Sequence, residues 1–336
     1  MSKNQKLQVK ELAAFLLRYG LRITTLLIAL SFLSFVLIKC SPIDPVQAYI
    51  GADMMKVSPE QRARIAEYWG LNKSLSAQFL LWASAVLHGD WGTSMIFRRP
   101  VLDVISERFT ASLALMGTAW VLSGVVGFGL GVWAGMKQGT WIDNLIRWYS
   151  YTLASTPTFW LGLLFLIVFA VWLNWFPVGM GVPAGVLAKD VTFGDRVEHL
   201  ILPALTLSVL GVANVALHTR AKLIDVLASN YVLFARARGE SGLRLLRRHG
   251  LRNVALPALT LQFASFSELF GGAVLAEQVF SYPGLGQTIV EAGLRGDVPL
   301  LLGIVIFSAI FVFTGNLLAD VLYRVIDPRI REGAAL

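Results

Sequence analysis

The sequence predicts an all-α membrane protein with six transmembrane helices, and three observations carry that prediction. Of 336 residues, 56% are hydrophobic and only 15% charged, and the mean hydropathy is +0.64, so there is too little polar surface to cover a soluble globule of this length. The apolar residues fall into long uncharged runs that match the roughly 20 residues needed to cross a ~30 Å hydrocarbon core. The basic residues sort unevenly between the loops that those runs would separate.

The first run, Ile23–Ile38, is flanked by Arg22 and Lys39, whose long stems reach the interfaces. Residues 1–22 are then an N-terminal tail and 23–39 the first spanning helix, retained because no small-residue cleavage site follows promptly. The single cysteine, Cys40, excludes an intramolecular disulfide, and Lys39 stands where a lipoprotein processing site wants a small residue. Residues 40–108 are too polar for lipid and read as an ordered extramembrane insert. Within it "SPEQ" offers Ser58 as N-cap, Pro59 at the first helical position and Gln61 as the reciprocal cap, predicting a short surface helix that ends near Gly70.

The uncharged run 109–136 is the second span, and its Gly127, Gly131 and Gly135 repeat every fourth residue, which puts a small surface on one face for close helix packing. The third is expected at 148–173, where "NWFPVGMGVPAG" breaks the run and Trp172 and Trp175 suit an aromatic belt. His199–Thr219, Val254–Val279 and Leu300–Ala319 supply the fourth, fifth and sixth, with Pro203 and Pro257 expected in first turns, where proline is tolerated.

Six spans place both termini on one side. The N-terminal tail, the loop near 137–147, the loop 218–253 and the end of the chain hold 18 of the 29 Lys and Arg residues; of the other 11, eight lie in the long insert and its edges, and long segments count weakly. The basic side, with both termini, is therefore expected in the cytoplasm and the insert outside.

No catalytic constellation is present. The histidines at 88, 199, 218 and 249 are scattered, and there is no H-E-x-x-H, no G-x-S-x-G and no G-x-x-x-x-G-K-[ST] loop to cradle a nucleotide. The expectation is a transport subunit that is not an enzyme, has no cofactor or metal, and relies on another chain for any ATP hydrolysis. The most charged stretch, 234–252, packs six arginines into nineteen positions around Gly239 and Gly242, more than an orienting loop requires. It reads as two short helices joined by a glycine turn, shaped for docking. Nucleic acid is not its expected partner, because aromatic residues do not alternate with the arginines.

These residues also carry a resemblance. "YVLFARARG", followed by "LRNVALP" with Pro257, resembles the cytoplasmic coupling loop of ABC importer permeases in the dipeptide, oligopeptide and nickel branch. "HGDWGTS", "RPVLDVI", "TPTFWLGLL", "HLILPALTL", "VFSYPGLGQ" and "DPRIR" agree, in order and over nearly the whole chain. One departure from the wider superfamily is that no acid stands in its Glu-Ala-Ala position, which here reads Leu233, Phe234, Ala235.

The resemblance implies a type I ABC importer permease in a bacterial inner membrane. Its expected partners are a second homologous permease, two cytoplasmic ATP-binding subunits, an external substrate-binding protein and membrane lipid. It implies a permease core over 109–325, a coupling loop over 218–253 and a cytoplasmic tail over 326–336. The coupling residues it points to are Ala235, Arg236, Ala237, Arg238, Gly239, Leu243, His249, Arg252, Asn253 and Pro257. Gly239 would supply a positive φ at the turn, Ala235 and Ala237 close approach to the ATPase, and Arg236 and Arg238 charge-assisted contacts. The cargo stays open between peptides and nickel or metal chelates.

The alternative from another class is a self-contained secondary transporter, marked by internal repeats and paired intramembrane ionisable groups. No repeat stands out, and Glu268 reads as the only deep carboxylate. Two roles stand for Glu268: facing the translocation path or the permease partner, or a packing hydrogen bond to a neighbouring Ser or Thr.

Overall fold

The computed structural model describes residues 3–40, 46, 57–68, 72–187 and 190–326. Among these the regular structure is helical: α1 Lys3–Lys39, α2 Pro59–Tyr68, α3 Leu75–Leu87, α4 Val101–Met136, α5 Trp141–Ala154, α6 Thr158–Phe165, α7 Phe193–Leu227, α8 Asn230–Ala237, α9 Gly242–Leu245, α10 Leu251–Ala264, α11 Phe266–Val279, α12 Leu285–Arg295 and α13 Val298–Ile326. Four helices are individually long and apolar enough to cross a membrane (Tyr19–Leu37 within α1, α4, α7 and Val298–Val321 within α13), and two bent pairs bring the number to six when each pair counts as one crossing.

The chain forms two compact units. The first contains the residues up to Glu107 together with Thr288–Phe313. Here α1 begins at Lys3, so the expected tail is helical and continuous with the span. In its apolar part Thr24, Thr25 and Ser31 donate their hydroxyl protons to the carbonyls of Gly20, Leu21 and Leu27, which satisfies them without water. The insert's expected capping box forms: Gln61 N donates to Ser58 Oγ at 3.2 Å and Ser58 N to Gln61 Oε1 at 3.1 Å.

The motif "HGDWGTS" becomes a turn closed on Asp297. This carboxylate is wholly buried and accepts from Ser94 Oγ at 2.6 Å, from Ile96 N at 3.0 Å and, as the cap of α13, from Leu300 N at 3.2 Å. Helix α4 starts at Val101 and not near Phe109, because Val101 N donates to Gly92 O and Val104 N to Pro100 O, while Val101, Val104 and Ile105 are buried.

The second unit contains Arg108–Gln287 and the residues from Thr314 onward. The glycine stripe of α4 packs as its spacing predicts. A Cβ added at Gly127, Gly131 or Gly135 would meet Val212 O at 2.8 Å, Ala216 O at 2.6 Å or Leu223 Cδ2 at 2.9 Å, all on α7. At one end of α7 Arg220 Nε and Nη2 clasp the buried carboxylate of Asp143 at 2.5 and 2.7 Å, and Gly139 N donates to the same group at 3.0 Å.

Two expected straight spans are broken. The third bends by 107° between α5 and Thr158–Trp172; Thr156 precedes Pro157, and a residue before proline is pushed out of the helical region. The fifth bends by 54° at Ser265, whose hydroxyl donates to Gln262 O at 3.0 Å. Pro203 and Pro257 also lie inside helices and not in first turns. Helix α7 starts early because Thr192 and Asp195 form a capping box, and α10 is fed by a wide i→i+5 turn over Leu246–Gly250, so each proline falls two or more turns in.

Candidate functional site

The strongly basic stretch folds as a small packed body at the end of α7. That helix does not stop at His218: its buried Leu223 and Val226 join Val232 and Ala235 of α8, then Leu245, Leu246 and Val254, in one apolar cluster. The first ten residues of the expected loop are therefore helix, continued because their apolar face has something to cover.

Helix α8 ends in a Schellman turn. Gly239 N donates to Arg236 O at 2.9 Å and Glu240 N to Ala235 O at 3.1 Å, with Gly239 at φ +89°. This is the geometry that glycine adopts without steric cost. Gly242 follows at φ +58° and opens α9, so the two short helices and the glycine turn are both present.

Ionic and polar contacts lock the turn from within. Glu240 accepts from Arg248 Nη1 at 2.9 Å and pairs with His249 Nε2 at 3.1 Å. Asn253 Nδ2 reaches back to Tyr231 Oη at 3.2 Å and to His249 O at 2.7 Å. His249 and Asn253 thus bind the body to itself.

The singled-out residues separate by exposure. Arg236, Ala237, Arg238, Gly239, Leu243, Arg252, Asn253 and Pro257 lie on the surface. Ala235 does not: it is buried against Leu245, Leu246 and Val254, so it cannot provide a close approach to a partner. Of the apolar residues presented instead, sequence reasoning named Leu243 but passed over Tyr231, Leu233 and Phe234 as contacts. Phe234 is 66% exposed and Leu243 69%, with Tyr231 and Leu233 about half exposed, an apolar face edged by arginines. It also passed over Glu240, although a lone acid among six arginines was a visible signal.

A second feature of the same unit is a partly open cavity, with His218 and Glu268 exposed. Its volume is about 300 Å³, and it is lined by Trp120, Ser123, Asn214, His218, Ser265 and Glu268, with Leu207 and Leu210 among its apolar wall. Glu268 stands in the first turn of α11, just past the 54° bend, and not midway along a continuous helix. Beside the cavity Gln262 Nε2 donates to Trp120 O at 2.7 Å and to Ser123 Oγ at 2.8 Å, while Trp120 Nε1 returns to Gln262 O at 3.1 Å.

Glu268 is exposed in this chain and is not the only carboxylate in its apolar run. Glu277, 1% exposed, accepts from Ser112 Oγ at 2.5 Å, Gly286 N at 2.7 Å and Gln287 N at 3.1 Å. The glycines of "YPGLGQ" exist for this contact: a Cβ at Gly284 would fall on the Glu277 carboxyl, and one at Gly286 would meet Val274 Cα at 2.6 Å. The spacing of Glu277 within its helix carried no sign of burial; the partner that buries it, Ser112, is 165 residues away in the chain.

Long apolar helices, a basic helix pair with its own core and a cavity with polar and apolar walls fit a polytopic membrane protein. Over residues 127–332 the chain matches the family described as binding-protein-dependent transport system inner membrane component, and over residues 12–116 the family of the N-terminal part of that component. The oligopeptide transport system permease protein AppB of Bacillus subtilis (strain 168) is 36% identical over 320 residues, covering 95% of this chain and 99% of that protein. The dipeptide transport system permease protein DppB of Escherichia coli (strain K12) is 34% identical over 333 residues, 94% and 97% of the two chains. The glutathione transport system permease protein GsiC of Salmonella paratyphi A (strain ATCC 9150 / SARB42) is 35% identical over 314 residues, 93% and 96%.

The chain belongs to the family of binding-protein-dependent transport system inner membrane components. It is a multi-pass inner-membrane permease of an ABC importer that works with ATPase and substrate-binding partners, and ATP hydrolysis belongs to a separate chain. A self-contained secondary transporter is set aside by that membership.

Proposed function

We propose that this permease carries di- and oligopeptides inward, coupled to ATP hydrolysis through the body formed by α8, α9 and the turn between them. One observation carries the coupling assignment: α8 and α9 are braced by their own apolar core and by the Glu240 ion pairs, yet leave Tyr231, Leu233, Phe234 and Leu243 exposed. A surface so rigidly supported and so apolar suits insertion into a groove of a partner, with Arg236 and Arg238 making charge-assisted contacts at its edge. The peptide assignment is supported by the relatives, which are named for oligopeptide, dipeptide and glutathione transport.

On this reading the basic side and both termini are cytoplasmic, the insert after α1 faces the binding protein, and a second permease and two ATPases complete the complex. Helices then rock about a central path under ATP-driven closure, and Glu268 faces that path.

The test is Gly239→Val. At φ +89° a β-branched residue is strained by about 1–3 kcal/mol, although its Cβ would meet nothing within 4 Å. The variant is expected to insert and assemble while ATPase activity of the reconstituted complex ceases to respond to loaded binding protein. Normal stimulation with normal uptake would return the stretch to a mere topological anchor.

A further inference from the structure

The cavity of the second unit contains a set of polar groups that the coupling reading leaves unused. Asn214 and His218 stand four residues apart on α7, and therefore on one face of it, and Glu268 joins them from the first turn of α11. Among the described residues none forms a hydrogen bond or ion pair with the Glu268 carboxylate, the Asn214 amide or the His218 ring. This contrasts with the buried acids: Asp143 is held by Arg220, Asp297 by Ser94 and two backbone amides, and Glu277 by Ser112 and two more, whereas Glu268 is exposed. The protein satisfies each acid that it uses for packing, and leaves Glu268 open to a cavity.

An ionisable group in a spanning segment is costly and is retained for a ligand or a partner charge. The lining contains one carboxylate and no Lys or Arg, so the field in the cavity favours a cation. A volume of about 300 Å³ lies at the low end of small-ligand sites, ~300–1,000 Å³, and Leu207 and Leu210 offer an apolar wall beside the acid. A short peptide presents this same pairing at its first residue, an ammonium group next to a side chain.

We propose that the Asn214–His218–Glu268 cavity is a transient peptide site in which Glu268 accepts charge-assisted hydrogen bonds from the protonated amino terminus of the cargo. The Asn214 amide and the His218 ring, which both donate and accept, flank it and hold the first peptide unit. The site rests on the peptide-importer reading and adds to it a selection step within the membrane, separate from selection by the binding protein.

The experiment uses the whole transporter in vesicles, with trialanine as probe because its amino terminus is its only cation. The binding protein is a different chain, so its own preference cancels when a permease variant is divided by the unaltered complex. The readout is peptide moved per ATP hydrolysed, which a general loss of folded complex would not change. Glu268→Gln, nearly isosteric, is expected to lower this ratio about tenfold, and Glu268→Asp to keep at least about half of it, since the charge remains.

An unchanged ratio in Glu268→Gln, or equal losses in the Gln and Asp variants, overturns the site. Parallel loss of uptake and hydrolysis, with the ratio constant, also overturns it by making Glu268 structural. Failure of the unaltered complex to move trialanine overturns the peptide reading itself, and is thereby distinguished from failure of the site.

Discussion

The seam between α4 and α7 gives a quantitative test because one helix offers both the perturbation and its control. A Cβ built on Gly131 would stand 2.6 Å from Ala216 O and 2.6 Å from Thr219 Cβ. Ordinary contact begins near 3.4 Å, so Gly131→Ala demands that the helices part by almost 1 Å. Neither obstacle is a flexible side-chain end; both move only with the backbone of α7. Gly127 and Gly135 lie on the same seam, where an added Cβ would meet α7 at 2.8 and 2.9 Å, so the opening also loosens their contacts. A gap of 0.5–1 Å forfeits roughly a quarter to a half of each dispersion well, and overpacking of this kind costs about 1–3 kcal/mol.

Alanine also gains about 1 kcal/mol in helix propensity over glycine, which would mask part of the loss. Gly129→Ala has the same gain and no obstacle, since its Cβ would meet nothing within 4 Å. The difference between the two variants therefore isolates the seam at about 1–3 kcal/mol. The assay is the apparent melting midpoint of the detergent-purified permease at a single heating rate, because unfolding of such proteins is commonly irreversible. Gly131→Ala is expected to melt several degrees below Gly129→Ala. Equal midpoints would refute the close-approach account. Gly127→Ala added to Gly131→Ala should cost less than the sum of the two, because one separation relieves both collisions.

Asp143→Ala leaves the largely buried Arg220 without its bidentate partner, and should destabilise the permease by about 3–5 kcal/mol, read as a loss of folded yield that Asp143→Glu only partly recovers. Ser112→Ala removes hydrogen bonds to Glu277 and from Leu285 N; a cost of about 1–3 kcal/mol is expected in the same melting assay, and no change would show that the buried carboxyl needs no hydroxyl. For orientation, with Cys40 replaced, a cysteine at the exposed Ser76 should react with an impermeant thiol reagent added outside and one at the exposed Ser241 should not. The converse pattern would invert the topology.

The sequence alone determined what depends on residue spacing within one segment. Apolar runs of the right length gave the spans, the four-residue glycine repeat gave a packing face on α4, "SPEQ" gave a capping box, and Gly239 gave a turn at positive φ, because each is a property of neighbours along the chain. Tertiary structure alone decided which segments meet. It made α7 continue beneath the basic stretch, turned Ala235 inward against Leu245 and Val254, and buried Glu277 against a serine 165 residues distant. Among the described residues it also left Glu268 unpaired at a cavity. Burial and pairing are set by contacts between residues far apart in the chain, and no local pattern encodes such a partner.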